Sequence, residues 1–512
     1  MQPYQIGINY HAVLPETITA ATGIIIMLAD AMSVRTKRFG GYISIIGLIA
    51  AGLAVGSLWG QDGTSFSGMI VNDEFRLFFA GIFLIVTLLT VLISLQWIEE
   101  EALPQCEYFA LLMFATTGML FMSAANDLVM IFLGLEITSI STYVLCGYRR
   151  RDGRSNESSV KYFILGSFST AFLLYGIALI YGASYDPAAN PVATTNLQLL
   201  RERLLGDHAL FSPAMLLAGA GMMIVGFGFK VSTAPFHVWS PDVYEGAPTP
   251  VTAFLSTGSK AAAFSAFARV FILTLTAGSV GLAASSTSTA AVLHDLQISW
   301  INAIWVMTAL TMTIGNIVAI VQSNIKRMLA YSSIAHAGYA MVGMISGDWR
   351  AVAFYMLSYV VINIGAFAVI ELIARRGDMR TEISDYSGIG FQSLGLSSAL
   401  SLFLLSLAGI PLTAGFMAKL LVFKSAWGAG FHWLIVIAVV NSAISWYYYL
   451  RVIVVMFFSS PATSFKKPFV AKSVAAALVL MVIATLYLGV IPGRVLDTLE
   501  HAGNQLVISA SK

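Results

Sequence analysis

Four ionisable side chains stand inside long apolar runs. Glu136 lies in the middle of run 127–147, and Lys230, Lys260 and Lys419 lie deep in runs 213–240, 249–275 and 394–427. A charge at the centre of a membrane-spanning helix costs on the order of 2.5–3.5 kcal/mol even on the lenient insertion scale. A purely structural Glu–Lys pair holding two helices together would account for two of the charges and leave the other two unpaired. Buried amines suit proton transfer, because burial works against the charged form and a nearby carboxylate works for it. Moving Glu136 towards or away from Lys230 would switch that lysine between holding and releasing a proton. One proton moved against about 200 mV costs roughly 4.6 kcal/mol, scaling from about 2.3 per 100 mV. Burial plus one charge pair covers that. His336, in YSSIAHAGYAMVG, has the chemistry of a relay or of a hydrogen-bonded packing group, and so has His237. Asp30, near the end of the first run, is a candidate partner for a neighbouring helix or subunit.

Two of the lysines sit beside breaks. Lys230 is followed five residues later by Pro235, and Lys419 follows Gly409, Pro411 and Gly415. Proline inside a helix removes a backbone donor and clashes with the preceding turn. Irregular backbone at membrane depth survives only inside protein or beside water. Broken helices in corresponding parts of two halves are the usual pointer to an ion path in transporters built from inverted repeats.

The elements that must hold these groups are spans. The chain has 512 residues, 58% hydrophobic and 11% charged, against roughly 45–50% and 25% in soluble domains. A soluble fold could not hide that much apolar surface, and disorder is excluded by the same figures. The reading is an all-α polytopic membrane protein. Fourteen runs are candidates: 12–33, 40–58, 76–97, 108–125, 127–147, 160–182, 213–240, 249–275, 300–322, 330–346, 351–374, 394–427, 431–457 and 471–491. The first is expected to be a span and not a cleaved signal. Lys and Arg number sixteen on the odd-numbered loops and six on the even-numbered loops and ends, so both termini should face away from the cytoplasm. Arg269, Lys424 and Arg451 lie near span ends and are expected to reach the interface as anchors. Segments 183–212 and 276–299 are expected to be plain outer loops. Asp242 and Glu245 are expected to be solvated caps.

A net charge of +2 gives no reason to expect nucleic acid as a partner. Cys106 and Cys146 cannot hold an iron–sulfur cluster, no histidine pair is placed for haem, and no nucleotide-binding motif is present. The glycines of GFGFK (226–230) lie inside an apolar run and cannot cradle phosphate.

The long motifs resemble the antiporter-like, proton-translocating membrane subunits of respiratory complex I. The resemblance rests on KVSTAPFHVWSPDVYEGAPTPVTAFLSTGSKAAAF (230–264), SNIKRMLAYSSIAHAGY (323–339), NDLVMIFLGLEITSISTYVLCGYRRRDGRSNE (126–157) and GIPLTAGFMAKLLVF (409–423). It covers roughly 108–457. It implies about fourteen helices, with the fourth to eighth and ninth to thirteenth as inverted five-helix repeats and the seventh and twelfth broken. The corresponding divisions are 1–107, 108–275, 276–457 and 458–512. It also implies proton-transfer roles for Glu136, Lys230, Lys260 and Lys419, and less directly for His336. NADH, FMN, iron–sulfur clusters and quinone would be bound by partner subunits and no cofactor by this chain. The partners implied are the sister antiporter-like subunits, small membrane-arm subunits and the lipid bilayer, in a bacterial inner membrane. Of the three sister types, the one with a C-terminal lateral helix is disfavoured, because the sequence given stops about twenty residues after the last run. The one with glutamate at the Lys419 position is disfavoured as well. VLPETITAATGIIIMLADAM at the start favours the third. The competing readings are a subunit of a multisubunit cation/proton antiporter, and a scaffold whose buried charges no longer conduct. A related complex taking electrons from ferredoxin or F420 shares the architecture.

Overall fold

In lipid, an apolar segment satisfies its backbone amides internally or not at all, and the runs above fold accordingly. The computed structural model describes residues 9–32, 39–185, 192–205, 212–275, 288–460 and 467–509. Among these, twelve helices are long and apolar enough to cross a membrane, from Tyr10–Met32 to Lys472–Val490. Two of the predicted spans are helical but interrupted. Residues 249–275 run through two π-helical stretches, Leu255–Ser259 and Phe271–Leu275. The run 394–427 divides into Leu394–Ala408 and Ala414–Gly428.

Two expectations about connections are corrected. Segment 183–212 carries the helix Leu197–Leu205. The segment expected as loop 276–299 is helical from Ser288, because helix Ser288–Ile320 begins before its apolar run does; residues 276–287 lie outside the described residues. A small antiparallel hairpin, Gly63–Ser65 paired with Ile70–Asn72, follows the second helix. It is too short to read from periodicity.

Ile325–Ile345 and Trp349–Ala374 are buried along nearly their whole length. Helices nearer the rim, such as Gly40–Leu58, expose apolar side chains including Ile46, Ile49 and Leu53. Such an apolar exterior fits a lipid solvent.

Candidate functional site

Lys230 occupies the last turn of helix Pro213–Val231. The chain then leaves the helix through Ser232, at φ 61°, a left-handed residue stabilised by its N–H bonding back to the Phe229 carbonyl at 3.0 Å. The break is closed by partners from elsewhere. Thr311 Oγ1 accepts from Ala234 N at 2.9 Å, and Trp239 Nε1 donates to the Phe229 carbonyl at 2.9 Å. Lys230, 5% exposed, donates to Ser139 Oγ at 2.7 Å and lies over the Tyr143 and Tyr162 rings, 5.3 Å from each centroid. Glu136 stands one turn earlier on the same helix as Ser139. It is half-buried, its Oε1 has no hydrogen-bond partner, and it makes no ion pair with Lys230. The structure therefore brings Lys230 onto the helix that carries Glu136, where it bonds Ser139, one turn further along.

Lys260 follows directly on the π-helical stretch Leu255–Ser259. Such widened turns shift the side chains that follow and recur at functional sites. Its ammonium donates to Ser333 Oγ at 2.6 Å and to the Ser333 carbonyl at 2.9 Å. One turn along that helix, His336 bonds Tyr355 OH through Nδ1 at 2.7 Å and Tyr449 OH through Nε2 at 3.3 Å.

The second break holds Lys419. Helix Leu394–Ala408 ends at Gly409, φ 90°, whose N–H returns to the carbonyls of Leu405 and Ser406. Lys419 then donates to the carbonyls of Leu407 and Ala408, each at 3.1 Å, and to Ser442 Oγ at 2.9 Å; Trp446 Nε1 shares the Ala408 carbonyl at 3.1 Å. A cation at a helix C-terminus meets both the orphan carbonyls and the negative end of the dipole. The reversal depends on Gly415, where an added Cβ would lie 1.9 Å from the Ser406 carbonyl oxygen.

These groups are joined by hydroxyls and rings. Lys419 lies 4.8 Å over the Tyr339 ring, Asn316 Nδ2 donates to Tyr339 OH at 3.1 Å, and Tyr448 OH donates to Asn316 Oδ1 at 2.9 Å. Tyr449, next in sequence, bonds Ser332 and His336. On the other side, Tyr162 stacks on Trp239, whose ring meets Tyr244 edge-on beneath Lys260. None of Lys230, Lys260 and Lys419 makes an ion pair among the described residues. Sequence reading missed Ser139, Ser333, Ser442 and the tyrosines. Ser139 had one signal, its place within a turn of Glu136; Ser442 had none, with no charged residue within a turn.

The remaining candidates fall elsewhere. Arg269 is a correction. It is buried, not a lipid-interface anchor, and holds Asp73 through Nη1 at 2.9 Å and Nη2 at 3.0 Å. Arg451 donates to the carbonyls of Ile320 and Gln322 at the end of a neighbouring helix. Lys424 is exposed, as an anchor requires. Asp242 and Glu245 are not free caps, because Arg327 bonds both, at 2.9 and 2.8 Å, and Lys161 bonds Asp242 at 2.7 Å. His237 is half-buried with Nδ1 unpartnered, apart from the lysine file. Asp30 is partly exposed near the end of its helix. No group of three or more His, Cys, Asp or Glu able to hold a metal occurs among the described residues.

Buried lysines at two helix breaks in an all-helical bundle define a class, the antiporter-like multi-pass membrane subunits. Residues 125–445 match the family model of the NADH:quinone oxidoreductase/Mrp antiporter membrane domain. NADH-quinone oxidoreductase subunit N of Trichlorobacter lovleyi is 43% identical over 97% of this chain and 97% of its own length. A chain of respiratory complex I from Thermus thermophilus superposes with a TM-score of 0.77 at 32% identity, over 95% of this chain and 99% of that one. A chain of the Mrp complex from Dietzia shares the fold at 19% identity, with a TM-score of 0.79 over 98% of each chain. The chain belongs to the NADH:quinone oxidoreductase/Mrp antiporter family, in the branch of NADH-quinone oxidoreductase subunit N.

Proposed function

We propose that this chain translocates protons as a membrane-arm subunit of an NADH–quinone oxidoreductase. The single observation that carries the reading is a set of three lysines, each at most 5% exposed, bonded to hydroxyls and carbonyls but to no carboxylate. A structural charge would be paired; a proton carrier has to be able to lose its charge without leaving a partner stranded. Electron transfer from NADH to quinone, with FMN and iron–sulfur clusters, belongs to partner subunits in this reading. The chain lies among the sister antiporter-like subunits and small membrane subunits of a bacterial inner membrane. Both termini face away from the cytoplasm. Fourteen crossings, counting the two interrupted segments, would form the inverted repeats 108–275 and 276–457, flanked by 1–107 and 458–512.

The residues divide the work. Glu136, one turn from Ser139, sets the local charge that Lys230 meets when the helices shift. Lys230 passes a proton towards Lys260 past the Tyr162–Trp239–Tyr244 rings. Ser333 and His336 continue it, and Lys419 releases it at the second break. Both breaks supply what an unbroken helix cannot: carbonyls open to side-chain donors and room for side-chain motion.

The test uses the intact complex purified in mild detergent and reconstituted in vesicles, recording NADH-driven quinone reduction and internal acidification together. Lys230→Ala is expected to assemble, and to lose most of the acidification. A variant that assembles and acidifies like the wild type would make the buried charges a scaffold. Sodium-driven proton movement with no co-purifying NADH activity would favour the multisubunit antiporter, whose fold is shared.

A further inference from the structure

One buried carboxyl stands outside the lysine file. Glu371 lies three residues before the end of helix Trp349–Ala374, is 4% exposed, and has no hydrogen-bond partner at Oε2. The charged groups near it include Glu100, Asp378, Arg149 and Glu101, and Arg375 follows one turn later, its backbone N–H on the Glu371 carbonyl at 3.3 Å. The buried cations of this end are already engaged. Arg149 holds Asp378 and Glu101, each at 2.9 Å, and Lys326 holds Asp378 at 3.0 Å. No cation forms an ion pair with Glu371 among the described residues. A buried carboxylate without a counter-charge is costly, and a proton is the simplest partner that removes the charge.

The surroundings give that proton a source and a destination. Its chain neighbour Leu372 and Glu100 line a cavity of about 480 Å3 whose wall also carries Arg375, Arg376 and Lys467, at the Arg/Lys-rich end of the bundle; Glu371 lies behind that wall, one residue from it. Inward on the same helix, Asn363 Oδ1 and Tyr359 OH likewise lack partners, and Tyr355 bonds His336 at 2.7 Å. Asn363 is eight residues from Glu371, about 12 Å along the axis.

We propose that Glu371 is a proton-loading carboxyl of the Arg/Lys-rich face. A hydronium ion from the cavity gives its proton to Oε2, forming the O–H bond and leaving water; breaking that bond passes the proton to a water on the inward side, towards the Asn363–Tyr355 polar groups, and regenerates the carboxylate. No electron transfer is involved. The inference rests on the proton-transfer reading above and extends it to a group outside the four principal positions.

The experiment uses the intact reconstituted complex with Glu371→Gln, Glu371→Asp and Lys260→Ala. Glu371→Gln is expected to cut acidification per NADH oxidised at least fivefold with assembly intact, and Glu371→Asp to restore most of it. Dicyclohexylcarbodiimide, which modifies protonated carboxyls in apolar surroundings, is expected to label Glu371 in the wild type, read by peptide mass spectrometry. If Lys260→Ala stops acidification and Glu371→Gln does not, the carboxyl is a packing group and this inference falls alone. If neither substitution changes acidification, the proton-transfer reading falls with it. Should Glu371→Gln fail to assemble, an unlabelled Glu371 in the wild type overturns the inference.

Discussion

At the residue scale, each buried lysine is held by hydroxyls or carbonyls that can serve it both charged and neutral. Ser139 is the sharpest case, because it bonds the Lys230 ammonium at 2.7 Å one helical turn from Glu136. A hydrogen bond to a charged group contributes about 1.5–3 kcal/mol. Ser139→Ala should therefore shift the Lys230 proton equilibrium by roughly 10- to 150-fold. We expect lowered acidification per NADH in vesicles with quinone reduction and assembly retained; an unchanged ratio would remove Ser139 from the path. Lys260→Arg asks the complementary question. Arginine keeps the positive charge but does not deprotonate in proteins. It should assemble better than Lys260→Ala and conduct no better, measured as acidification against the amount of assembled complex on native gels.

At the scale of elements, the two breaks are built differently. The first is closed by side chains from other helices, Thr311 and Trp239. The second is closed by the lysine itself, which caps the helix that the break ends, together with Trp446, whose Nε1 donates to the Ala408 carbonyl at 3.1 Å. The second break should thus be the more sensitive to its glycines. Gly415→Ala would drive a methyl into the Ser406 carbonyl, and overpacking of this kind typically costs about 1–3 kcal/mol. The expected outcome is a lower yield of assembled complex and a drop in its Tm by several degrees in a detergent thermal-shift assay. An unaffected complex would mean that the two half-helices separate at little cost.

For the molecule as a whole, one ion cluster ties distant segments together at the Arg/Lys-rich end. Asp378, in the segment after Trp349–Ala374, accepts from Arg149 at 2.9 Å, from Lys326 at 3.0 Å and from Thr249 Oγ1 at 2.9 Å, joining that segment to the loop after Leu128–Cys146 and to the first turns of helices Thr249–Phe254 and Ile325–Ile345. Burial alone would push the Asp378 carboxyl up, but Lys326 and Arg149 beside it outweigh that and hold it well below the usual carboxylate range. Because its folded value is depressed, its stabilisation is fully present above about pH 4 and fades as pH falls through the depressed value. The Tm of the complex should not respond to this group between about pH 5 and 8. Asp378→Asn leaves Lys326 buried beside a neutral partner, a loss of about 3–5 kcal/mol for breaking such a pair. It should lower the Tm across that whole range; a fall confined to acidic pH would contradict the assignment.

The linear order of residues determined that this is a bundle of membrane helices, since 58% apolar residues in repeated long runs admit no other solvent. It also determined which groups are chemically out of place: Glu136, Lys230, Lys260 and Lys419 are anomalous against their own segments, and no neighbour is needed to see it. What surrounds them could not be read, because their partners come from helices far away in the chain. Ser139 is 91 residues from Lys230 and Ser333 is 73 from Lys260. Arg269 shows the same limit from the other side. From its place near a span end it reads as a lipid anchor, and only packing against Asp73, 196 residues away, makes it a buried ion pair. Hydropathy records how far along a helix a charge lies; which face meets protein and which meets lipid is decided by the tertiary contacts.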